Sequence, residues 1–406
     1  MITSRRTARD IRSDSRLAVL HALLSAGEAS RNDLARATGL STATVATVVA
    51  ELLAEGLVVG AGRNRSGVGR PSTSLRIDGS RGAILGVDVA ETYVRTVVFD
   101  AALAPVGRFE VPLDEHENLP GYVVDGVGRS IDGALGEAGV ERSRVLGVGV
   151  SLPGQVLPNA GVSVFAPNWD WRGVRILDLL RARVDLPLVL DNPLKAIATA
   201  ELWFGAGRSV RSLVTINLGT GVGAGIVLDG RILRGVSNNA GEWGHSLLVL
   251  DGRECRCGRR GCVEAYVGAR GIQQTLAEID PDHPLLALGH QRDFISAVAG
   301  GLDEDASGPL AELLRRTGRY LGAGVADLVA ILNPERVTLT GWTAWTLGEH
   351  LMAPTNAELA VQAPLGSASD VTLDVSTVRG GSVARGMATF AFERFLGDLG
   401  LLSVDR

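Results

Sequence analysis

The sequence holds a single lysine, Lys195, against thirty-nine arginines, and three cysteines in 406 residues. All three cysteines fall in RECRCGRRGC, residues 253–262, which excludes the disulfide framework of a small secreted domain. Apolar runs never approach the roughly 18 residues that a membrane span needs. The opening MITSRRTARD lacks the apolar core of a signal peptide. These absences predict a cytoplasmic protein with no membrane partner. With 46% apolar and 21% charged residues, the chain has enough material for a large core spread over two or three domains. The net charge is −5, yet residues 1–81 carry twelve arginines against seven acids, so a basic head precedes an acidic body. That asymmetry points to a nucleic-acid module on a separate domain.

Local pattern in the head agrees. SRLAVLHALLSAG (15–27) has helical apolar spacing. Ser30 and Asp33 form the S-x-x-D opening of a second helix, which Gly39 ends. A third helix starts at Ser41 as N-cap, with Val45, Val48, Val49, Leu52 and Leu53 on one face and Thr42, Ala43, Thr44, Ala46 and Thr47 outward. Helix, tight turn, helix is the helix-turn-helix pattern, and LVVGAGRNRSGVGRPSTSLRID then reads as a two-stranded wing carrying Arg63, Arg65 and Arg70. A plain three-helix bundle is the competing reading, and the order, wing and charge favour the DNA-binding one. The expected DNA contacts are Ser41, Thr42, Ala43, Thr44 and Thr47 with the three wing arginines. Since the outward helix face has no Arg, Asn or Gln, bidentate base readout is unavailable there, and the arginines are expected on phosphates or in the minor groove.

Beyond residue 81 the chain repeats a scheme. GAILGVDVAETYVRTVVFD (82–100) and SLVTINLGTGVGAGIVLDG (212–230) each read as strand, short turn, strand, followed by helices and further strands. Two such lobes make an α/β chain of the actin-like, ribonuclease-H-like plan, in which the first turn of each lobe cradles nucleotide phosphates through backbone N–H groups. The second turn, Gly219-Thr220-Gly221-Val222-Gly223, has the glycines this needs, although hairpins also use glycine for geometry alone. His245, Cys255, Cys257 and Cys262 supply one nitrogen and three sulfurs, the ligand set of a closed tetrahedral zinc site; three reduced thiols near the surface are the alternative.

The chain resembles the ROK family of bacterial repressors, open reading frames and sugar kinases over nearly its whole length. The resemblance rests on the head ending in GRPS, on GVGVSLPGQV (147–156), on GTGVGAG (219–225), and on GEWGH followed by CRCGRRGCVE. It implies a two-lobed ROK domain behind a winged helix-turn-helix domain, and one structural zinc per chain on His245, Cys255, Cys257 and Cys262. It further implies sugar hydroxyl contacts from Glu242, His245 and Glu264, with Asn192 and Gly154 as further pocket residues. Carboxylates accept paired hydrogen bonds from vicinal hydroxyls, and a metal-bound loop would fix Glu264 beside Glu242.

Two departures from the family's kinases bear on function. Their first-lobe D-x-G-x-T turn is here Asp88-Val89-Ala90-Glu91-Thr92, without its glycine and with an acid where phosphate would sit. Their Asn-Asp pair, whose aspartate is the base on the sugar hydroxyl, is here Asn192-Pro193. Proline accepts no proton, so the expectation is a non-enzymatic sugar sensor that regulates transcription, with operator DNA as partner. An active sugar kinase with an appended head and a ligandless DNA-binding dimer are the alternatives. Lys195 would suit an anionic ligand, or is an ordinary helix-start lysine. The expected domains are residues 1–80, the winged head; 81–193 with 381–406, the first lobe; and 194–380, the second. A homodimer or homotetramer is expected, since one winged head makes a short contact and a two-fold pair reads a palindrome.

Overall fold

The head is built from α1 (Ala8–Ala26), α2 (Arg31–Thr38) and α3 (Thr42–Ala54), followed by the antiparallel pair β1 (Val58–Asn64) and β2 (Ser72–Ile77). The structure is a computed structural model and describes residues 8–64, 72–304, 307–364 and 366–402. Ser30 and Asp33 close a reciprocal capping box, with Ser30 Oγ accepting from Asp33 N at 3.2 Å and Asp33 Oδ2 accepting from Ser30 N at 3.0 Å. Gly39 ends α2 in the left-handed conformation at φ 70°, and Ser41 Oγ caps α3 by accepting from Thr44 N at 3.1 Å. Val45, Val48, Val49 and Leu52 are buried together with Val19, Leu20 and Leu23 of α1 and Leu34 of α2. Leu53, expected on the same face, is 37% exposed instead. One residue turns a helix by about 100°, which carries position 53 past the buried stripe centred on Val45, Val49 and Leu52. Thr42, Ala43, Ala46 and Thr47 are exposed, and Thr44 is half-buried with its Oγ1 2.8 Å from Ser41 Oγ. Arg63 lies on β1 opposite Thr73, whereas Arg65 and Arg70 lie outside the described residues.

Two compact units divide the chain: residues 1–196 with 383–406, and 197–382. In the first, β3 (Ala83–Val89), β4 (Tyr93–Asp100) and β5 (Pro105–Pro112) form an antiparallel meander, and α4 (Pro120–Ala138) leads to β6 (Val145–Ser151), parallel to β3. A small sheet of β7 (Gln155–Leu157), β8 (Val162–Ala166) and β9 (Trp171–Val174) and the helix α5 (Ile176–Arg183) precede β10 (Leu188–Asp191), which pairs parallel to β6. The main sheet runs β10-β6-β3-β4-β5, and α6 (Pro193–Phe204) then carries the chain into the second unit.

The second unit repeats the scheme. Its meander is β11 (Leu213–Leu218), β12 (Val222–Leu228) and β13 (Arg231–Ile232). After α7 (Glu264–Val267), α8 (Ala269–Ile279), α9 (Gln291–Glu304) and α10 (Pro309–Leu332), β14 (Arg336–Thr340) pairs parallel to β11. Helices α11 (Trp342–Gln362) and α12 (Ser367–Asp370) precede β15 (Thr372–Val375), parallel to β14, and the order is β13-β12-β11-β14-β15. In both sheets three meandering strands are extended, beyond the first strand, by two parallel ones. This shared connectivity is the actin-like plan.

Helix α13 (Ser382–Asp398) returns to the first unit and buries Ala384, Met387, Ala391, Phe392 and Leu396. Its backbone lies directly on the sheet. A Cβ at Gly86 of β3 would stand 1.7 Å from the Ala384 carbonyl oxygen, and one at Gly149 of β6 would stand 2.0 Å from that of Met387. Glycine is therefore required at both positions for the helix to seat. Among the described residues no single helix is long and apolar enough to cross a membrane.

Candidate functional site

The segment after β13 makes one turn of 3-10 helix, Trp243–His245, in which His245 N donates to Glu242 O at 3.0 Å. Trp243 is buried and its indole N–H donates to Gly324 O at 3.1 Å, which fixes the turn on α10. The cysteine loop folds back through Cys255 N to Arg259 O at 2.8 Å and Gly258 N to Cys255 O at 3.0 Å. As a result one donor atom from each of His245, Cys255, Cys257 and Cys262 lies within 4.8 Å of all the others. Cys257 Sγ is 3.7 Å from Cys262 Sγ, and Cys255 Sγ is 3.7 Å from His245 Nδ1. Metal–sulfur bonds of about 2.3 Å in a tetrahedron place neighbouring ligands about 3.8 Å apart, so the side chains stand at the spacing a four-coordinate ion requires.

The electrostatics agree. Burial pushes the Cys255 thiol up to about 12, and burial together with the Cys257 sulfur raises Cys262. Burial also opposes the Cys257 thiolate, but hydrogen bonds from the Arg259 side chain and backbone outweigh it and bring that thiol below its ordinary value. Three sulfurs this close ionise together only around a cation. The four residues thus form a cluster able to hold a metal ion.

Arg253 supports the loop from beneath, a role sequence reasoning missed. It is 9% exposed and gives Nε and Nη2 to Glu278 at 3.0 and 2.7 Å. Nη1 donates to Ala265 O and Gly271 O at 3.2 and 3.0 Å, and Nη2 to Thr275 Oγ1 at 3.0 Å. The guanidinium lies 4.6 Å from the Tyr266 ring centre. An arginine in so charged a stretch reads as solvated, and nothing local in the sequence marks it otherwise.

Of the acids, Glu264 opens α7 two residues after Cys262 and is 7% exposed. Its Oε2 accepts from Val222 N at 3.0 Å, while Oε1 lies 3.7 Å from Cys255 Sγ and 3.5 Å from Arg256 Nε. It thereby joins the cysteine loop to the glycine turn between β11 and β12. That turn is also held by Ala269 N donating to Gly219 O at 3.1 Å and by Asn217 Nδ2 donating to Gly221 O at 3.3 Å. Glu242 is exposed on the same turn as His245. The structure brings together His245, the three cysteines and Glu264, with Glu242 on the adjoining turn.

Gly154 and Asn192 belong to the first unit. Gly154 has φ 83°, and a Cβ there would stand 2.3 Å from Phe165 O. Asn192 is 1% exposed and caps α6, its Oδ1 accepting from Lys195 N at 3.1 Å. Pro193 occupies the first helical position, where its missing N–H costs the helix nothing, and Lys195 is fully buried. In the turn between β3 and β4, Glu91 accepts a hydrogen bond from Asn168 Nδ2. Asp88 accepts from Tyr93 OH at 3.1 Å, and burial pushes its carboxyl up to about 6. The partners Asn168 and Tyr93 carry no sequence signal, since each depends on tertiary contact.

Residues 84–391 match the model of the ROK family, and residues 13–65 match that of the MarR family. A xylose repressor from Caldicellulosiruptor bescii is 27% identical over 387 residues, covering 92% of this chain and 94% of that protein. A glucokinase from Streptomyces coelicolor is 33% identical over 267 residues, covering 64% of this chain and 82% of the other. Among solved structures, a ROK family transcriptional regulator described as a homolog of the E. coli MLC protein superposes with a TM-score of 0.77 at 24% identity, covering 97% of this chain and 99% of that one. This chain belongs to the ROK family and carries a MarR-type winged helix at its N-terminal end.

Proposed function

We propose that this protein is a sugar-responsive transcriptional repressor that binds operator DNA through its winged head and does not phosphorylate the sugar it senses. The observation that carries the reading is the combination, in one chain, of a capped helix with an exposed Thr42-Ala43-Ala46-Thr47 face and a ROK core whose general-base position is Pro193. Likeness to a xylose repressor along both parts of the chain supports it. The kinase alternative is represented by the glucokinase likeness, which covers 64% of the chain. Against it stand Pro193, Glu91 in the first turn with Asn168 bonded to it, and Asp88 already engaged by Tyr93. Loss of a general base alone typically costs 10²–10⁴-fold.

In this reading His245, Cys255, Cys257 and Cys262 hold one zinc ion, which supplies a fixed structural centre rather than chemistry. Glu242, His245 and Glu264 accept or donate hydrogen bonds to sugar hydroxyls, and Gly154 and Asn192 are further sugar contacts. Ser41, Thr42, Ala43, Thr44 and Thr47 face the major groove, and Arg63, Arg65 and Arg70 bind phosphates or the minor groove. The protein works in the cytoplasm as a homodimer or homotetramer, with the winged heads 1–80 and lobes 81–193 with 381–406 and 194–380 as its domains. D-xylose is the first sugar to test.

The decisive experiment pairs a coupled ATP assay over a sugar panel with DNA binding in the presence of each sugar. The expected result is background ATP turnover and a sugar-dependent change in DNA affinity. Glu242→Ala and Glu264→Ala should keep DNA binding and lose the sugar effect, each hydroxyl contact being worth about 1–3 kcal/mol. Sugar-dependent ADP formation well above contaminant level would replace the repressor reading with the kinase one.

A further inference from the structure

We propose that Arg16 is a positioning residue for the recognition helix, holding α3 in register with the end of the C-terminal helix. The positioning stands on the geometry alone; its use in regulation rests on the sugar-responsive reading above.

Arg16 lies on α1 with its side chain 13% exposed, and it makes contacts in two directions. Toward α3, Nε and Nη2 each lie 2.7 Å from Glu51 Oε2, and Arg12 bonds the other carboxylate oxygen of Glu51. Toward the C-terminal tail, Nη1 donates to Leu401 O at 2.9 Å and to Gly400 O at 3.3 Å. Gly400, at φ 72°, reverses the chain after α13, and Leu401 N donates back to Leu396 O at 2.9 Å. Leu401 and Leu402 are buried, so the reversed tail is seated rather than frayed. A planar guanidinium can serve a carboxylate and two carbonyls at once from separate nitrogens, whereas a lysine ammonium presents one point charge.

What lies at the two ends of this link gives it meaning. Glu51 sits two turns along α3 from Thr44 on one stripe of the helix, so its position sets the pitch of the exposed face. At the other end α13 is clamped along its length. Gly86 and Gly149 seat it on the sheet, and a Cβ at Gly386 would stand 1.8 Å from Ala196 O in the first turns of α6. That helix is the one capped by Asn192. Arg81, in the connection between head and sheet, lies 6.0 Å from the Phe395 ring centre on the same helix. A continuous route of close backbone packing and side-chain hydrogen bonds thus joins Asn192, α6, α13, the tail, Arg16, Glu51 and α3, all within the first unit. Residue 383, where the chain re-enters that unit, lies at the start of α13.

The test uses the full chain, Arg16→Ala, Arg16→Lys, a chain ending at Leu399, and the truncation combined with Arg16→Ala. DNA affinity is measured with a duplex that the wild-type protein selects from a random pool, and hydrogen exchange is read at the amides of residues 45–54. Arg16→Ala and the truncation should each speed exchange in α3 and weaken the duplex by roughly tenfold, and the double variant should be no worse than either, since both cut one link. Arg16→Lys should behave as the truncation does, keeping Glu51 but losing the carbonyls. Additive effects, or unchanged α3 exchange in a folded Arg16→Ala protein, would overturn the proposal. With D-xylose as probe, Arg16→Ala should bind the sugar as wild type does while the sugar's effect on DNA affinity falls toward none. A full sugar effect in that variant would overturn the regulatory part. If D-xylose leaves wild-type DNA binding unchanged, the sugar assignment fails, and the non-additivity still decides the role of Arg16.

Discussion

Asp88 holds its proton unusually well, its carboxyl raised by burial from an ordinary value of 3.8 to about 6 despite the Tyr93 hydroxyl. Between those values the folded chain keeps a proton that the unfolded chain releases, so stability falls as pH rises from about 4 to about 6 and stays lower above that. Asp88→Asn, which keeps an acceptor for Tyr93, should therefore stabilise the protein at pH 7.5 by about 1–3 kcal/mol and do nothing at pH 4. Urea unfolding of both proteins at the two pH values checks this, and an equal shift at both would refute it. His21 on α1 acts in the opposite sense: burial lowers it from 6.5 to about 4, so its neutral form favours the fold and stability is lost as pH drops through that window. At this scale the clustering of His245, Cys255, Cys257 and Cys262 was legible, because three cysteines and a histidine have few other uses together. Arg253, Tyr93, Asn168 and Arg16 were not, because each acts through a partner far away in sequence.

Among the elements, the capped helices of the head could be read from Ser30, Asp33, Gly39 and Ser41, since a cap is chemistry between residues three apart. The paired strand-turn-strand units were legible through their long apolar strands. Leu53 was misplaced because a stripe's width depends on what packs against it. The small sheet β7-β8-β9 gave no pattern strong enough to separate it from loop. The seating of α13 supplies a sharp contrast between glycines. Gly149→Ala forces a methyl against the Met387 carbonyl, and should lower the melting temperature by several degrees or prevent folding, overpacking typically costing about 1–3 kcal/mol or more. Gly136→Ala on α4 meets nothing within 4 Å and should stabilise by about 0.5–1 kcal/mol. Calorimetry on the pair tests the difference, and equal effects would mean that α13 does not rest on its glycines.

For the whole molecule, the basic head and acidic body predict how DNA binding responds to salt. Contacts to six or more phosphates by a pair of heads would weaken affinity by about 10³-fold or more between roughly 0.05 and 0.2 M salt. A flat response in a titration of labelled duplex would show that the wing arginines are not used. The two-unit construction makes metal removal a local experiment as well. The four residues of the proposed zinc site and Arg253 lie in the second unit, so a strong chelator should lower the unfolding temperature and quicken exchange in residues 243–267 while leaving the caps of α2 and α3 protected. Elemental analysis after purification without chelator should find one zinc per chain, and its absence would remove the centre.

The buried Lys195 has a consequence for the protein's chemical surroundings. Open-chain aldoses condense with free side-chain amines, and the chain's one ε-amino group is wholly covered. A protein whose proposed task brings it into lasting contact with reducing sugar thus offers that sugar no lysine to glycate. After long incubation with concentrated D-xylose, its mass should show no adduct at Lys195, whereas an ordinary lysine-rich protein in the same tube browns.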